Sequence, residues 1–214
     1  MKNIIFDMDG TIFDSEKMYY DILCRTAELF KVNLTQEQYK EYFSTDLLTK
    51  AKKIIKEYSL NISPQDFIDQ YRKLQVVVTE EYGKRILFND TENTLKTLRD
   101  KGYNLYLCTN SYSKYVEKML MMTKISELFS GKICREMCER FKPDPFPYKL
   151  LLEKYDLDIS ESCAIEDSPN GIKSAKSAGL FTIGIVREFA LDEKYTDVQV
   201  NNLSEIIDIV KNRL

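Results

Sequence analysis

The sequence predicts an α/β protein: a parallel sheet with helices on both faces, interrupted after its first strand by an all-helical insert. Three observations carry that prediction. Short apolar runs without strict alternation recur along the chain, with helical patterns between them, as strands buried on both faces do. Several of these runs end in carboxylates or hydroxyls, which belong at the ligand-binding edge of an open parallel sheet. From Ser15 to Gly83 there is no strand signal, only apolar stripes at helical spacing.

In chain order, the first strand is the run Asn3 to Phe6 (NIIF), which leads straight into Asp7. The insert follows. Its first stripe is Tyr19, Ile22, Leu23, Thr26 and Phe30, and Thr35-Gln36-Glu37-Gln38 then has the spacing of a capping box. A second stripe runs through Leu47, Leu48, Ala51, Ile54, Ile55 and Tyr58. Ser63-Pro64 then sets an N-cap before a first-turn proline, opening a third stripe of Phe67, Ile68, Tyr71 and Leu74. Thr91 to Lys101 is the next helix, with Leu95 and Leu98 inward and Gly102 ending it. Leu105 to Cys108 (LYLC), Gly131 to Cys134 (GKIC), Cys163 to Ile165 (CAI) and Thr182 to Val186 (TIGIV) supply further strands. The helix Pro169 to Ala178 lies before the last of these, closed by Gly179. The division is therefore a core of residues 1–14 and 84–214 and a helical insert of residues 15–83.

Composition narrows the function. A chain of 214 residues with 43% hydrophobic content can bury one sizeable core plus a smaller second unit. Its 31 Lys and Arg nearly balance 34 Asp and Glu, and no basic block interleaved with aromatics occurs, so neither nucleic acid nor a membrane surface is an expected partner. The apolar stretch before Asp7 is too short for a signal sequence, and no run approaches the roughly 18 apolar residues of a membrane span. A cytoplasmic monomer acting on small molecules is expected. The five cysteines lack metal-site spacing and read as small buried hydrophobes. Histidine is absent, which removes Ser-His-Asp and Cys-His mechanisms and nearly all catalytic zinc sites. Acid-base work falls to carboxylates, lysine or tyrosine.

Those carboxylates converge on one sheet edge. NIIF leads to Asp7 and Asp9, LYLC to Thr109-Asn110-Ser111, CAI to Glu166 and Asp167, and Lys142 sits before the rigid PDPFP spacer. Four carboxylates crowded in a low-dielectric crevice repel one another unless a cation lies among them, and oxygen-only ligation without histidine points to Mg²⁺. Asp7 can then attack phosphorus in line to give an aspartyl-phosphate, with Mg²⁺ and Lys142 neutralising the transferring group. Asp9 can donate a proton to the leaving alcohol and later activate water. Gly10 permits the backbone turn that brings amides near the phosphate.

DxDGT at Asp7 to Thr11, the run into Thr109-Asn110-Ser111, KPDP at Lys142 and EDSPNGIKSAKSAG at Glu166 to Gly179 together resemble the haloacid dehalogenase superfamily. The insert after the first motif resembles its subgroup with a C1-type helical cap, which includes sugar-phosphate phosphatases and β-phosphoglucomutase. The resemblance implies a Rossmann-like core and a Mg²⁺ site of Asp7, Glu166, Asp167 and the Asp9 carbonyl. Asp7 would be nucleophile and Asp9 general acid and base. Thr109 and the Asn110 amide would hold phosphate, with Lys142 bridging nucleophile and phosphate. At the cap entry it implies substrate contacts from Glu16 and Tyr19. Tyr19 stands where the mutase branch carries a proton-handling histidine, and Asn89-Asp90 replaces a usual proline-glycine, as a helix cap. Phe43-Ser44-Thr45-Asp46 occupies the place of the cap's specificity loop without its glycine. The expected activity is Mg²⁺-dependent hydrolysis of a small phosphorylated metabolite such as a sugar phosphate, with a hexose-phosphate mutase as the alternative. A dehalogenase would leave Asp9 superfluous, and a non-catalytic module would be expected to lose Asp7, Asp9 or Asp167.

Overall fold

The computed structural model describes residues 1–42, 45–187 and 189–212. Phe43 and Ser44, half of the expected specificity loop, lie outside them. The chain divides into two compact units, one of Met1–Asp14 with Leu87–Leu214, the other of Ser15–Ile86. The second crossing falls at Ile86/Leu87 because a 3-10 turn, Gly83–Ile86, carries the last helix of the insert beyond Gly83.

The first unit is built on six parallel strands: β1 (Asn3–Phe6), β2 (Asn104–Cys108), β3 (Gly131–Ile133), β4 (Ser162–Glu166), β5 (Phe181–Ile185) and β6 (Val198–Val200). Their order is β3-β2-β1-β4-β5-β6, so β1 lies at the centre and the order reverses beside it. Asn3 to Phe6 pair in register with Asn104 to Leu107 on one side and Ser162 to Ile165 on the other. This is the α/β architecture that the apolar runs predict. The addition is β6, an edge strand of only three residues, VQV, too short and too polar to show as an apolar run.

Helices α5 (Thr91–Asp100), α6 (Ser113–Thr123), α7 (Phe146–Lys154), α8 (Pro169–Ser177) and α9 (Ile206–Lys211) cover the sheet. On one face, Ile5, Tyr106, Cys108, Ile133 and Ala164 pack with Tyr148 and Leu151 of α7 and Ala175 of α8. The alternate strand residues Ile4, Phe6, Leu105 and Leu107 are equally buried, and α5 lies on β2 with α9 beside it. Alternation of side chains puts this second layer on the opposite face. Asp90 precedes α5 but does not cap it; its carboxylate accepts from the Ser204 amide at 2.9 Å, while the Thr91 hydroxyl bonds the Ile12 carbonyl at 3.2 Å.

Among the described residues of the second unit all regular structure is helical: α1 (Ser15–Glu28), α2 (Gln36–Lys40), α3 (Leu47–Glu57) and α4 (Pro64–Tyr82), with the 3-10 turn after α4. Both expected starts are capping boxes, Thr35 with Gln38 and Ser63 with Asp66. The stripes face inward through Ile22, Leu23, Ala51, Ile54, Phe67, Ile68 and Tyr71, and Val78 extends the last of them. Leu48, in the first turn of Leu47–Glu57, is instead 44% exposed. Among the described residues, no helix is long and apolar enough to cross a membrane.

Candidate active site

The site lies at the carboxyl end of the sheet, where β1, β2 and β4 stop. Beyond β1 the chain continues the ladder for one bond, Asp7 N to the Ile165 carbonyl at 2.9 Å, and then turns at Gly10 with φ of 86°. A Cβ at Gly10 would stand 2.0 Å from Asp167 Oδ2, so glycine is needed both for the backbone and for the approach of Asp167. The Thr11 hydroxyl donates to Asp167 Oδ1 at 2.9 Å. Glu166, the last residue of β4, is fully buried, and Asp167 just beyond it is 6% exposed. A Cβ at Gly171 would lie 1.8 Å from Glu166 Oε2, so the first turn of α8 is cut back to admit that carboxylate.

Lys142 is the fixed cation of the site. Its ammonium donates to Asp7 Oδ1 at 2.7 Å, to the Cys108 carbonyl at 2.6 Å and to Glu166 Oε1, which uses all three of its protons. The Asn110 side chain clasps the same residue by its backbone, giving a bond to the Lys142 carbonyl at 3.2 Å and taking one from the Lys142 amide at 3.1 Å. Thr109, buried at the end of β2, bonds its own amide to the Ile133 carbonyl and takes the Ser111 amide on its hydroxyl, each at 3.0 Å. Tyr148 donates from α7 to Glu166 Oε1 at 2.6 Å.

The charges do not balance. Burial works against the Lys142 cation, but Asp7 and then Glu166 outweigh it and hold the ammonium protonated. One ammonium cannot neutralise three neighbouring carboxylates. Burial, against the pull of Lys142 and with the push of Asp7, drives the Glu166 carboxyl up to about 7. Burial, then Asp7 and Glu166, hold Asp167 well above the usual carboxylate range. Glu166 Oε2 is buried without a hydrogen-bond partner. Asp7, Glu166 and Asp167 each offer an oxygen within 4.8 Å of the others. An unpartnered buried oxygen within an all-carboxylate donor set with excess negative charge fits a hard divalent cation such as Mg²⁺.

Asp7, Lys142, Glu166 and Asp167 therefore meet directly, with Thr109 and Asn110 on the loop that holds Lys142. The Asp9 carboxylate goes elsewhere, accepting from Ser111 Oγ at 2.7 Å and from the Tyr115 hydroxyl at 3.4 Å. Glu16 and Tyr19 belong to the helical unit, where Glu16 accepts from the Tyr39 hydroxyl at 3.0 Å. Sequence reasoning missed Tyr148, Tyr115 and the bond from Thr11. The threonine stands inside DxDGT and so had a signal; the two tyrosines look like ordinary helix residues.

The haloacid dehalogenase-like hydrolase family matches residues 4–185. A Clostridium perfringens protein assigned as pyrophosphatase PpaX is 28% identical, over 99% of this chain and 98% of its own. A phosphoglycolate phosphatase of Aliivibrio fischeri is 27% identical, over 96% and 92%. Among solved structures, a Thermotoga maritima protein assigned as a β-phosphoglucomutase superposes with a TM-score of 0.88 at 23% identity, covering 100% of both chains, a likeness of fold. With the family's match spanning most of its length, and both sheet and carboxylate-lined edge in place, the chain belongs to the haloacid dehalogenase-like hydrolases.

Proposed function

We propose that the protein is a Mg²⁺-dependent phosphomonoester hydrolase that acts on a small phosphorylated metabolite, a sugar phosphate or a comparable compound, through an aspartyl-phosphate on Asp7. The observation that carries this reading is Lys142 buried on Asp7 Oδ1, with oxygens of Glu166 and Asp167 gathered beside that same carboxylate. A carboxylate held in place by a buried ammonium at the end of a strand has its free oxygen fixed for attack on phosphorus. Names carried by the relatives, phosphoglycolate phosphatase and pyrophosphatase, support transfer of phosphorus to water.

In the proposed reaction Asp7 attacks phosphorus as the bond to the leaving alcohol breaks, and the Asp9 carboxyl gives its proton to the departing oxygen. Water then attacks the acyl-phosphate, its proton returns to Asp9, and the bond between Asp7 and phosphorus breaks to release inorganic phosphate. Thr109 and the Asn110 amide hold the phosphate, and Lys142 offsets its charge. Asp7, Glu166, Asp167 and the Asp9 carbonyl would hold Mg²⁺, which would supply further neutralisation of negative charge. Glu16 and Tyr19 contact the substrate from the helical unit, which acts as the cap. We place the enzyme in the cytoplasm as a monomer.

Likeness to a β-phosphoglucomutase fold does not decide between hydrolysis and phosphoryl transfer to a sugar. A mutase must keep Asp9 from activating water until an acceptor arrives, and with no histidine in the chain Tyr19, titrating near pH 10 when unperturbed, is poorly suited to that task. The test is a screen of phosphorylated metabolites with purified protein and Mg²⁺, reading inorganic phosphate, with glucose 1-phosphate and a bisphosphate primer as one arm. Phosphate release that disappears in Asp7→Asn is expected. Glucose 6-phosphate formed much faster than phosphate would overturn hydrolysis in favour of the mutase.

A further inference from the structure

We infer that Ser111 and Tyr115 are positioning residues for the proton donor: two hydroxyls, one on each oxygen, set the pose of the Asp9 carboxyl. The inference rests on the hydrolase reading above and adds residues to it that none of the motifs assigns.

Three observations carry it. Ser111 Oγ lies 2.7 Å from Asp9 Oδ2, and the Tyr115 hydroxyl lies 3.4 Å from Asp9 Oδ1, so the carboxyl is held at both ends and not by one rotatable contact. Both holders are themselves fixed. The Ser111 amide is bound to Thr109 Oγ1 at 3.0 Å, and the Ser111 carbonyl accepts from the Arg135 amide at 3.0 Å. Tyr115 stands on the first turn of α6. That helix start takes its cap from Glu136, whose two oxygens accept from the Ser113 amide at 2.9 and 3.1 Å, while Val116, Met119 and Leu120 bury the helix in the core. The third observation is chemical. Two of the contacts on the Asp9 carboxylate come from hydroxyls. An ammonium can only donate and so favours a permanent carboxylate; a hydroxyl both donates and accepts. Only hydroxyl partners keep their hydrogen bonds to a carboxyl that loses its proton in the first half of the reaction and regains it in the second.

A donor that must reach the departing oxygen matters in proportion to how much that oxygen needs a proton. Nitrophenolate leaves readily without one, while phenolate is far more basic. Loosening Asp9 should therefore steepen the dependence of rate on the leaving group, which a general loosening of the fold does not do.

The experiment measures kcat/KM with Mg²⁺ for p-nitrophenyl phosphate, phenyl phosphate and an intermediate aryl phosphate, in wild type, Ser111→Ala, Tyr115→Phe and Ser111→Thr. In Ser111→Ala the loss on phenyl phosphate should exceed that on p-nitrophenyl phosphate by about tenfold or more. Tyr115→Phe, which keeps its ring packing, should deviate in the same direction but less, as its bond is longer. Ser111→Thr, which restores the hydroxyl, should recover the wild-type slope. Equal losses on all three esters, or no loss, would overturn the positioning role while leaving the hydrolase reading intact. A wild-type enzyme that releases phosphate neither from these esters nor from any phosphorylated metabolite of the screen would overturn the hydrolase reading itself, and the positioning role with it.

Discussion

At the scale of single residues, Asp7 and Lys142 carry the sharpest expectations. Asp7→Asn should lower turnover at least about a thousandfold, because an amide neither attacks phosphorus nor binds the metal well, and should keep a wild-type circular dichroism spectrum. Activity retained near wild type would rule out the aspartyl-phosphate route. Lys142→Met removes the ammonium between two buried carboxylates, so it should cost about 3 kcal/mol in urea denaturation besides abolishing turnover. A stability equal to wild type would mean that the carboxylates find another partner or take up protons. The thiols give an independent check on burial. Burial pushes the Cys134 thiol up to about 11 and raises Cys108 further, whereas Cys24 and Cys138 are only half-buried. Alkylation by iodoacetamide at pH 8, followed by mass spectrometry, should label Cys24 and Cys138 well before Cys108, Cys134 and Cys163.

At the scale of elements, the first turn of α8 is shaped around the Glu166 carboxylate. Gly171 lies on its first turn, and any side chain there would occupy the seat of Glu166 Oε2; Gly179 lies past its end with φ of 89°, near only Ile159. The same substitution should therefore act differently at its two ends. Gly171→Ala should displace Glu166 and lose turnover and Mg²⁺ affinity together, measured by phosphate release and by calorimetric titration. Gly179→Ala should cost about 1 kcal/mol of stability through the left-handed backbone and leave turnover close to wild type. Both substitutions giving the same profile would show that α8 does not position Glu166. The elements also explain what sequence can reveal. Strands β1, β2, β4 and β5 are buried on both faces and so had to be written as apolar runs, and the ends of β1 and β4 run into the carboxylates Asp7, Glu166 and Asp167. The edge strand β6 needed no such run, since it has one paired neighbour. The links from Tyr148 to Glu166 and from Tyr115 to Asp9 join positions 18 and 106 residues apart. Such bonds arise from how helices lie on the sheet, and no local spacing encodes them. Asp90 shows the converse: it stands where a cap belongs, yet its carboxylate is taken by Ser204.

At the scale of the whole molecule, the unbalanced carboxylates couple stability to pH and metal. In the metal-free protein Glu166 holds its proton up to about 7, against about 4.3 when unfolded. Between those values the native state binds more protons than the unfolded one, so stability should fall as pH rises through that window. Mg²⁺ requires the ionised carboxylates, so its affinity should weaken below pH 7 and its binding should release protons. Thermal melts with Mg²⁺ and with EDTA should differ more at pH 8 than at pH 6, and calorimetry in buffers of different ionisation heat should count the protons. A shift in melting temperature independent of pH would show that Glu166 and Asp167 do not bind the ion. One feature of the core bears on how such a molecule is assembled. The points where the chain leaves for the helical unit and returns are stitched to each other inside the sheet unit, by an antiparallel bridge between Phe13 and Leu87 and a bond from the Phe88 amide to the Ile12 carbonyl at 3.4 Å. Entry and exit are therefore neighbours that the core holds in place by itself, and the helical segment is an insertion between two points already joined. An insert of different length or sequence could be spliced between these two points without rewiring the sheet.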